Sequence, residues 1–202
     1  LADVLKPTAH EVVHHLQVMG FEVMMLTGDN ANTATTIAKA AGIARVESDV
    51  LPKDKSEVIK KIQSEGSVVA MIGDGINDAP ALVQADVGIA MGSGTDIAIE
   101  SSDVTLMKSD LRGVVFAFDL SNRTFKTIKQ NLFWAFFYNL LLIPVAAGIL
   151  YPVFNMLGGV PEGLRLFFGT EGFLNPMLAA MAMAASSVSV ISNSLRLRNL
   201  KL

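Results

Sequence analysis

The stretch "VVAMIGDGINDAPAL", Val68 to Leu82, decides how the chain is read. An apolar run stops at Gly73, and two aspartates, an asparagine and a second glycine follow before Pro80. A short apolar run closed by glycine is the pattern of a buried strand. A small, acidic loop directly after such a strand suits a magnesium ion and a phosphoryl group. Asp74 offers carboxylate oxygen to a hard cation, with Asn77 and Asp78 near it. Gly73 and Gly75 let the backbone turn tightly and approach a ligand. The competing reading has Asp74 and Asp78 merely capping the following helix, and Asp78 suits some capping as well.

Working outward, helices and strands alternate. "TAHEVVHHLQVMG" places Val12, Val13, Leu16 and Met19 near a helical period and stops at Gly20. "FEVMMLTGDN" is a short strand running into a polar loop, and "ANTATTIAKAAGI" is a helix closed by Gly42. "DKSEVIKKIQSEG" is a helix with Val58, Ile59 and Ile62 on one face and Gly66 as its stop. After the opening stretch come a short helix, the strand "VGIAM", the helix "TDIAIESSD" and the strand "VTLM". This alternation predicts a parallel sheet covered on both faces, an α/β fold of Rossmann type. Ligands of such sheets gather at the carboxyl ends of the strands. "TGDN" and "GDGIND" both lie there, so they can converge although far apart in sequence.

Charge divides the molecule. Residues 1–110 carry 8 basic and 16 acidic side chains, whereas residues 111–202 carry 8 and 3. Such asymmetry points to two environments. No basic stripe interleaved with aromatics appears, which argues against a nucleic-acid partner. There is no cysteine, hence neither a disulfide nor a thiolate metal site in this chain. "LRGVVFAFDLSNRTFKTIKQN" reads as an amphipathic helix, and no charge occurs over 132–150 or 173–192. Each uncharged run is long enough to cross a hydrocarbon core of about 30 Å. The predicted division is therefore 1–111, an α/β part, and 112–202, a membrane part with spans near 131–150 and 173–192. Buried core helices of a soluble domain are the alternative, disfavoured by the flanking basic residues. Those residues, including Arg123, Lys126, Lys129, Arg196, Arg198 and Lys201, predict that both ends of the membrane part are cytoplasmic.

The loops carry chemistry that fits together. Thr27 and Gly28 of "TGDN" offer a hydroxyl and a backbone donor to phosphate oxygens at a helix N-terminus. In "LPKDKSEV", Lys55 sits just inside a helix, where an ammonium can neutralise phosphoryl charge. A glycine pair alone is weak. A strand followed by "GDGINDAPAL", with "TGDN" and a proline-led lysine upstream in that order, is a specific signal.

These segments, "MLTGDN", "LPKDKSEVIKKI", "VVAMIGDGINDAPALVQADVGIAMGSGTDIAIESSDV" and "KQNLFWAFFYNLLLIP", resemble the P-type ATPases over essentially the whole chain. The match is to the C-terminal part of the phosphorylation domain, a haloacid-dehalogenase-like fold, and to the last two membrane helices. The resemblance implies that Thr27, Gly28 and Asp29 form the phosphate-side loop. It also implies that Lys55 contacts the aspartyl phosphate and Asp74 ligates Mg2+, with Asn77 and Asp78 ordering the site. ATP is implied as substrate, its site mostly outside this chain. The family's DKTGT motif, with its phosphorylated aspartate, is absent, as is the CPC motif of the copper branch. The expectation is that this chain is one piece of a longer ATPase. The actuator, nucleotide-binding, DKTGT and CPC segments would then be its partners.

The two uncharged runs resemble the monovalent-copper branch. The first carries Tyr138-Asn139, and the second carries Met183 and Ser187, four apart and so on one helix face. A thioether is a soft ligand suited to Cu+, and no carboxylate is present for a hard or divalent ion. Polar groups inside a membrane tend to mark a pathway. Taken alone, Met183 reads as packing and the serines as close helix contact. With Tyr138 and Asn139, the set reads as part of a Cu+ path. The expected function is Cu+ export driven by ATP from the plasma (inner) membrane, with a copper chaperone as a further partner and Ag+ as a second cargo. Two other classes compete with it: a membrane-anchored haloacid-dehalogenase-type phosphatase, and a non-catalytic split or regulatory fragment.

Overall fold

A computed structural model of the chain describes residues 5–92 and 95–199. The chain forms two compact units, Leu1–Phe118 and Asp119–Leu202.

In the first unit, five short strands alternate with helices: α1 (Ala9–Val18), β1 (Met24–Leu26), α2 (Ala31–Ala41), β2 (Arg45–Glu47), α3 (Lys55–Ser64), β3 (Ala70–Gly73), α4 (Ala79–Gln84), β4 (Val87–Met91), α5 (Asp96–Glu100) and β5 (Val104–Leu106). Every pairing is parallel, but the strands form two separate ladders, β1–β2 and β3–β4–β5. β1 and β3 share no ladder, so each keeps one edge unpaired within the described residues. β2 was not anticipated. Arg45-Val46-Glu47 has no apolar run to announce it, and its register opposite Met24–Leu26 is a tertiary effect.

The helix limits follow local chemistry. Gly42 closes α2 in the left-handed region at φ 78°, where Ala would be strained, and its N–H bonds back to α2 carbonyls. The Asn30 side chain accepts from the Thr33 N–H at 3.0 Å to open α2. Period-two alternation distributes β4 between two faces. Ile89 and Met91 join Val12 and Leu16 of α1, Leu106 and Val114 in the main core. On the other face, Gly88 backs onto α4, where a Cβ would lie 2.6 Å from the Leu82 carbonyl. The sheet is covered on both sides, as the alternation predicted.

A single 35-residue helix, α6 (Arg112–Ala146), combines the expected amphipathic segment with the first uncharged run. The expected boundary at 111 differs from the observed one because Val114 is fully buried and Val115 and Phe118 pack on the core of the first unit. The second unit continues with α7 (Tyr151–Met156), α8 (Arg165–Phe168) and α9 (Pro176–Leu195). Among the described residues one helix, Pro176–Arg198, is long and apolar enough to cross a membrane. The first run differs from the expected 131–150: its helix stops at Ala146 and turns at Gly148, φ 89°. Asn131, Tyr138 and Asn139 also dilute its hydropathy. The connection is not a bare loop, because Phe154 is buried and packs on Phe168 at 5.3 Å between ring centres. Lys201, expected to flank the second run, lies outside the described residues.

Candidate phosphoryl site

Two loops leave the carboxyl ends of parallel strands, residues 27–29 after β1 and 74–78 after β3. They are joined through the segment between β2 and α3. Thr27 N–H donates to the Glu47 carbonyl at 3.0 Å, Val50 N–H to the Thr27 carbonyl at 3.1 Å, and Asp49 N–H to the Asp29 carbonyl at 2.9 Å. Asp49 stands at φ 56°, a left-handed conformation that aspartate tolerates better than most residues. A few residues on, Pro52 opens a 3-10 turn that leads into α3. Lys55, the first residue of α3, then reaches across to the second loop.

There the Lys55 Nζ lies 2.7 Å from Asp78 Oδ1, with both side chains only 14% exposed. Asp78 Oδ2 accepts the Gly75 N–H at 3.3 Å. Asp78 is therefore held by an ammonium on one oxygen and by its own loop on the other. This close fold-back explains Gly73: a Cβ there would lie 2.7 Å from the Asp78 Cβ. The Asp74 carbonyl accepts the Thr95 N–H at 3.1 Å, and the Thr95 side chain caps α5.

The Asp74 carboxylate forms no hydrogen bond or ion pair to another described residue. It is exposed, as is Asn77. Among the described residues no three His, Cys, Asp or Glu side chains cluster as a closed metal cage. That pattern fits magnesium, which binds through one or two carboxylates and fills its other positions with water and phosphate oxygen. In the 27–29 loop the Thr27 hydroxyl donates to the Asp29 carboxylate at 3.1 Å and accepts the Asp29 N–H. Gly28 N–H has no acceptor among the described residues, while the Thr27 hydroxyl must turn from Asp29 to serve a ligand. The roles of Asp49, Val50 and Thr95 in fixing the loops were not foreseen. The Asp in left-handed backbone just before Leu51-Pro52 was the one local hint.

The two uncharged runs are brought together at one end. Asn131 Nδ2 donates to Ser194 Oγ at 2.9 Å, and Asn193 Nδ2 to Asn131 Oδ1 at 2.9 Å. Asn131, Ala135, Tyr138 and Leu142 are half-buried on α6 and Ala182, Ser186, Val190 and Asn193 on α9, and of these Asn131, Tyr138, Val190 and Asn193 border one cavity between the two helices. The four expected copper residues do not converge on one another. Tyr138 lies on the packed face. Asn139 is exposed, with its amide on the Ala135 carbonyl at 2.9 Å. Met183 is 63% exposed, and the Ser187 hydroxyl reaches its carbonyl at 3.4 Å, so these two share a face that points away from α6.

This geometry, with an acidic loop and a Thr-Gly-Asp loop at the ends of parallel strands, is that of a haloacid-dehalogenase-like α/β fold. A family model described as a haloacid dehalogenase-like hydrolase matches residues 1–86. The chain is 54% identical over 98% of its length to the "Probable copper-transporting ATPase PacS" of Synechococcus elongatus, and covers 24% of that protein. It is 48% identical to the "Copper-exporting P-type ATPase" of Legionella pneumophila, covering 25% of it. A crystal structure of a zinc-transporting PIB-type ATPase in the E2.Pi state matches 96% of the chain at 34% identity and a TM-score of 0.73, with 28% of that structure covered. Over nearly its whole length the chain is similar to one part of these copper-transporting P-type ATPases, and it spans about a quarter of their length.

Proposed function

We propose that the chain supplies the magnesium- and phosphate-stabilising loops and part of the metal path of an ATP-driven Cu+ exporter. The observation that carries this reading is the Lys55–Asp78 pair at 2.7 Å beside an unpaired Asp74. Phosphoryl transfer is catalysed by positioning and by neutralising charge on the moving oxygens. Asp78 holds Lys55 extended towards the loop ends, so its ammonium is aimed before substrate arrives. Gly28 N–H, at the N-terminus of α2, faces an anion favourably. Asp74, with Asn77 beside it, would hold Mg2+, which supplies electrostatic stabilisation of the phosphoryl oxygens when bound. The aspartate to be phosphorylated belongs to the rest of the protein. The unpaired edges of β1 and β3 favour a strand from that part completing the sheet.

The cargo assignment rests on ligand softness. No carboxylate occurs over 120–161 or 172–202, which disfavours Zn2+. Met183, Ser187 and Asn139 are turned outward, available to ligands on neighbouring helices, and Tyr138 lines the α6–α9 face. This arrangement fits an integral membrane protein of the plasma (inner) membrane with both ends of 112–202 cytoplasmic. A soluble copper chaperone is a natural donor of a reactive soft cation. The reading as a free-standing phosphatase finds no support among the relatives. The test is Asp74→Asn in the full-length protein. Phosphoenzyme formed from ATP should fall about a hundredfold while expression and folding persist, because a charged ligand and not a core side chain is lost. Near-normal phosphoenzyme would overturn the assignment.

A further inference from the structure

Between α6 and α9 the second unit holds a cavity of about 340 Å3, bordered by Gln130, Trp134, Tyr138, Ser189, Asn193 and Arg196 among others. Its hydrogen-bonding balance is lopsided. Asn131 and Asn193 spend their amide N–H groups on Ser194, Asn131 and Gln130, and Ser189 donates to the Ser186 carbonyl at 2.7 Å. Besides the second Asn131 amide N–H, four donor groups, most of them solvent-exposed, have no acceptor among the described residues: the Gln130 amide, the Trp134 indole N–H, the Tyr138 hydroxyl and the Arg196 guanidinium. No carboxylate occurs anywhere over 120–161 or 172–202 to answer the guanidinium. Donors without partners seek acceptors, and an unpaired guanidinium repels cations. At its Arg196 and Trp134 end the cavity is therefore well suited to an anion, leaving Tyr138, further along α6, to the metal path.

The walls say which kind of anion. Trp134 packs at a tilt against Tyr138 with ring centres 5.9 Å apart, Val190 completes an apolar side, and Phe133, Phe137 and Ile191 on the same two helices are exposed. An anion with an apolar tail satisfies both the donors and this surface. Basic pockets between membrane helices at the cytoplasmic face bind phosphorylated headgroups, and Trp and Tyr favour that depth. We propose that this cavity binds the phosphate of an anionic phospholipid, with Arg196 as its charged partner and the Trp134 indole as a second donor. The inference rests on the membrane reading above. It does not depend on the phosphoryl site or on the identity of the transported ion.

The experiment uses the full-length protein, reconstituted with equal amounts of phosphatidylglycerol and phosphatidylcholine, re-extracted into detergent and weighed intact by native mass spectrometry. The expected result is retention of phosphatidylglycerol over phosphatidylcholine. Arg196→Gln should lower that retention about fivefold, the scale of one basic side chain at an anionic surface. Arg198→Gln, off the cavity, should change it little. Trp134→Phe keeps the ring and deletes the donor, so a partial loss is expected from a change that leaves packing intact. Equal retention of the two lipids, or equal losses for Arg196→Gln and Arg198→Gln, would overturn the proposal. Displacement of the bound lipid by millimolar inorganic phosphate would reassign the cavity to free phosphate and overturn it as a lipid site. Phosphoenzyme formation in the same samples reports separately on the ATPase reading, so failure of one is distinguishable from failure of the other.

Discussion

The phosphoryl loops and the uncharged helices treat their polar side chains in opposite ways. In the first unit, Asp78 is paired on both oxygens, Asp29 and Thr27 bond each other, and the 47–50 segment clasps the loop after β1. The site is held by bonds inside one unit, with Asp74 the carboxylate left over. In the second unit, Asn139 turns back on its own helix and Met183 points outward. One region fixes its chemistry before any partner arrives. The other turns amide and thioether groups outward, where, on the proposed reading, neighbouring helices would complete the metal path. Preorganised charge stabilisation needs no movement at the moment of transfer, whereas a transport path must be opened and closed.

The sharpest way to break this contrast is Lys55→Ala. It leaves Asp78 unpaired in a half-buried loop and removes the aimed ammonium. Phosphoryl transfer in the full-length protein should fall about a hundredfold, and local stability should drop by about 1–3 kcal/mol. Lys60→Ala is the control. Its partner Glu57 lies on the same helix and both side chains are exposed, so a loss near zero is expected. Equal losses in the two variants, read by single-turnover phosphorylation, would show that the effect is general electrostatics.

A smaller effect sharpens the same contrast at the base of the first unit. Asp86 Oδ2 accepts the Val69 N–H at 2.8 Å and the Gln63 amide at 3.0 Å. These bonds hold its carboxyl below the ordinary carboxylate range. A lowered folded value means stability that is present above the unfolded value and lost as pH falls through the folded one. Thermal unfolding followed from about pH 6 to about pH 3 should show the wild type losing somewhat more of its Tm than Asp86→Asn. Identical pH profiles would remove Asp86 from the account.

How much was legible followed where the information lies. "GDGINDAPAL" announces a strand, a tight turn and a free carboxylate because each needs a particular residue at a particular place. Gly42 and Asn30 mark the ends of α2 for the same reason. β2 was hidden, since three residues with a central valine acquire strand geometry only from β1 beside them. The Lys55–Asp78 pair was not foreseen as a pair. It depends on the 3-10 turn at Pro52–Asp54 and on how α3 meets the second loop. In the second unit, the spacing of Met183 and Ser187 puts them on one face of α9, and the Ser187 hydroxyl reaches the Met183 carbonyl. Which way that face points depends on Asn131, Asn193 and Ser194 locking the helices together, and no periodicity states that.

If the proposed function holds, a soft monovalent ion drives phosphorylation at the site described. The most direct measurement is metal-stimulated phosphoenzyme formation from ATP by the full-length protein, in the wild type, Met183→Ile and Met181→Ile. Both changes remove a sulfur from α9 at similar volume, but the two positions point in different directions. The account predicts label with Cu+ and not with Zn2+ in the wild type. That label should fall about tenfold or more in Met183→Ile and stay near the wild-type level in Met181→Ile. Label that appears equally with Zn2+, or that survives intact in Met183→Ile, would contradict it.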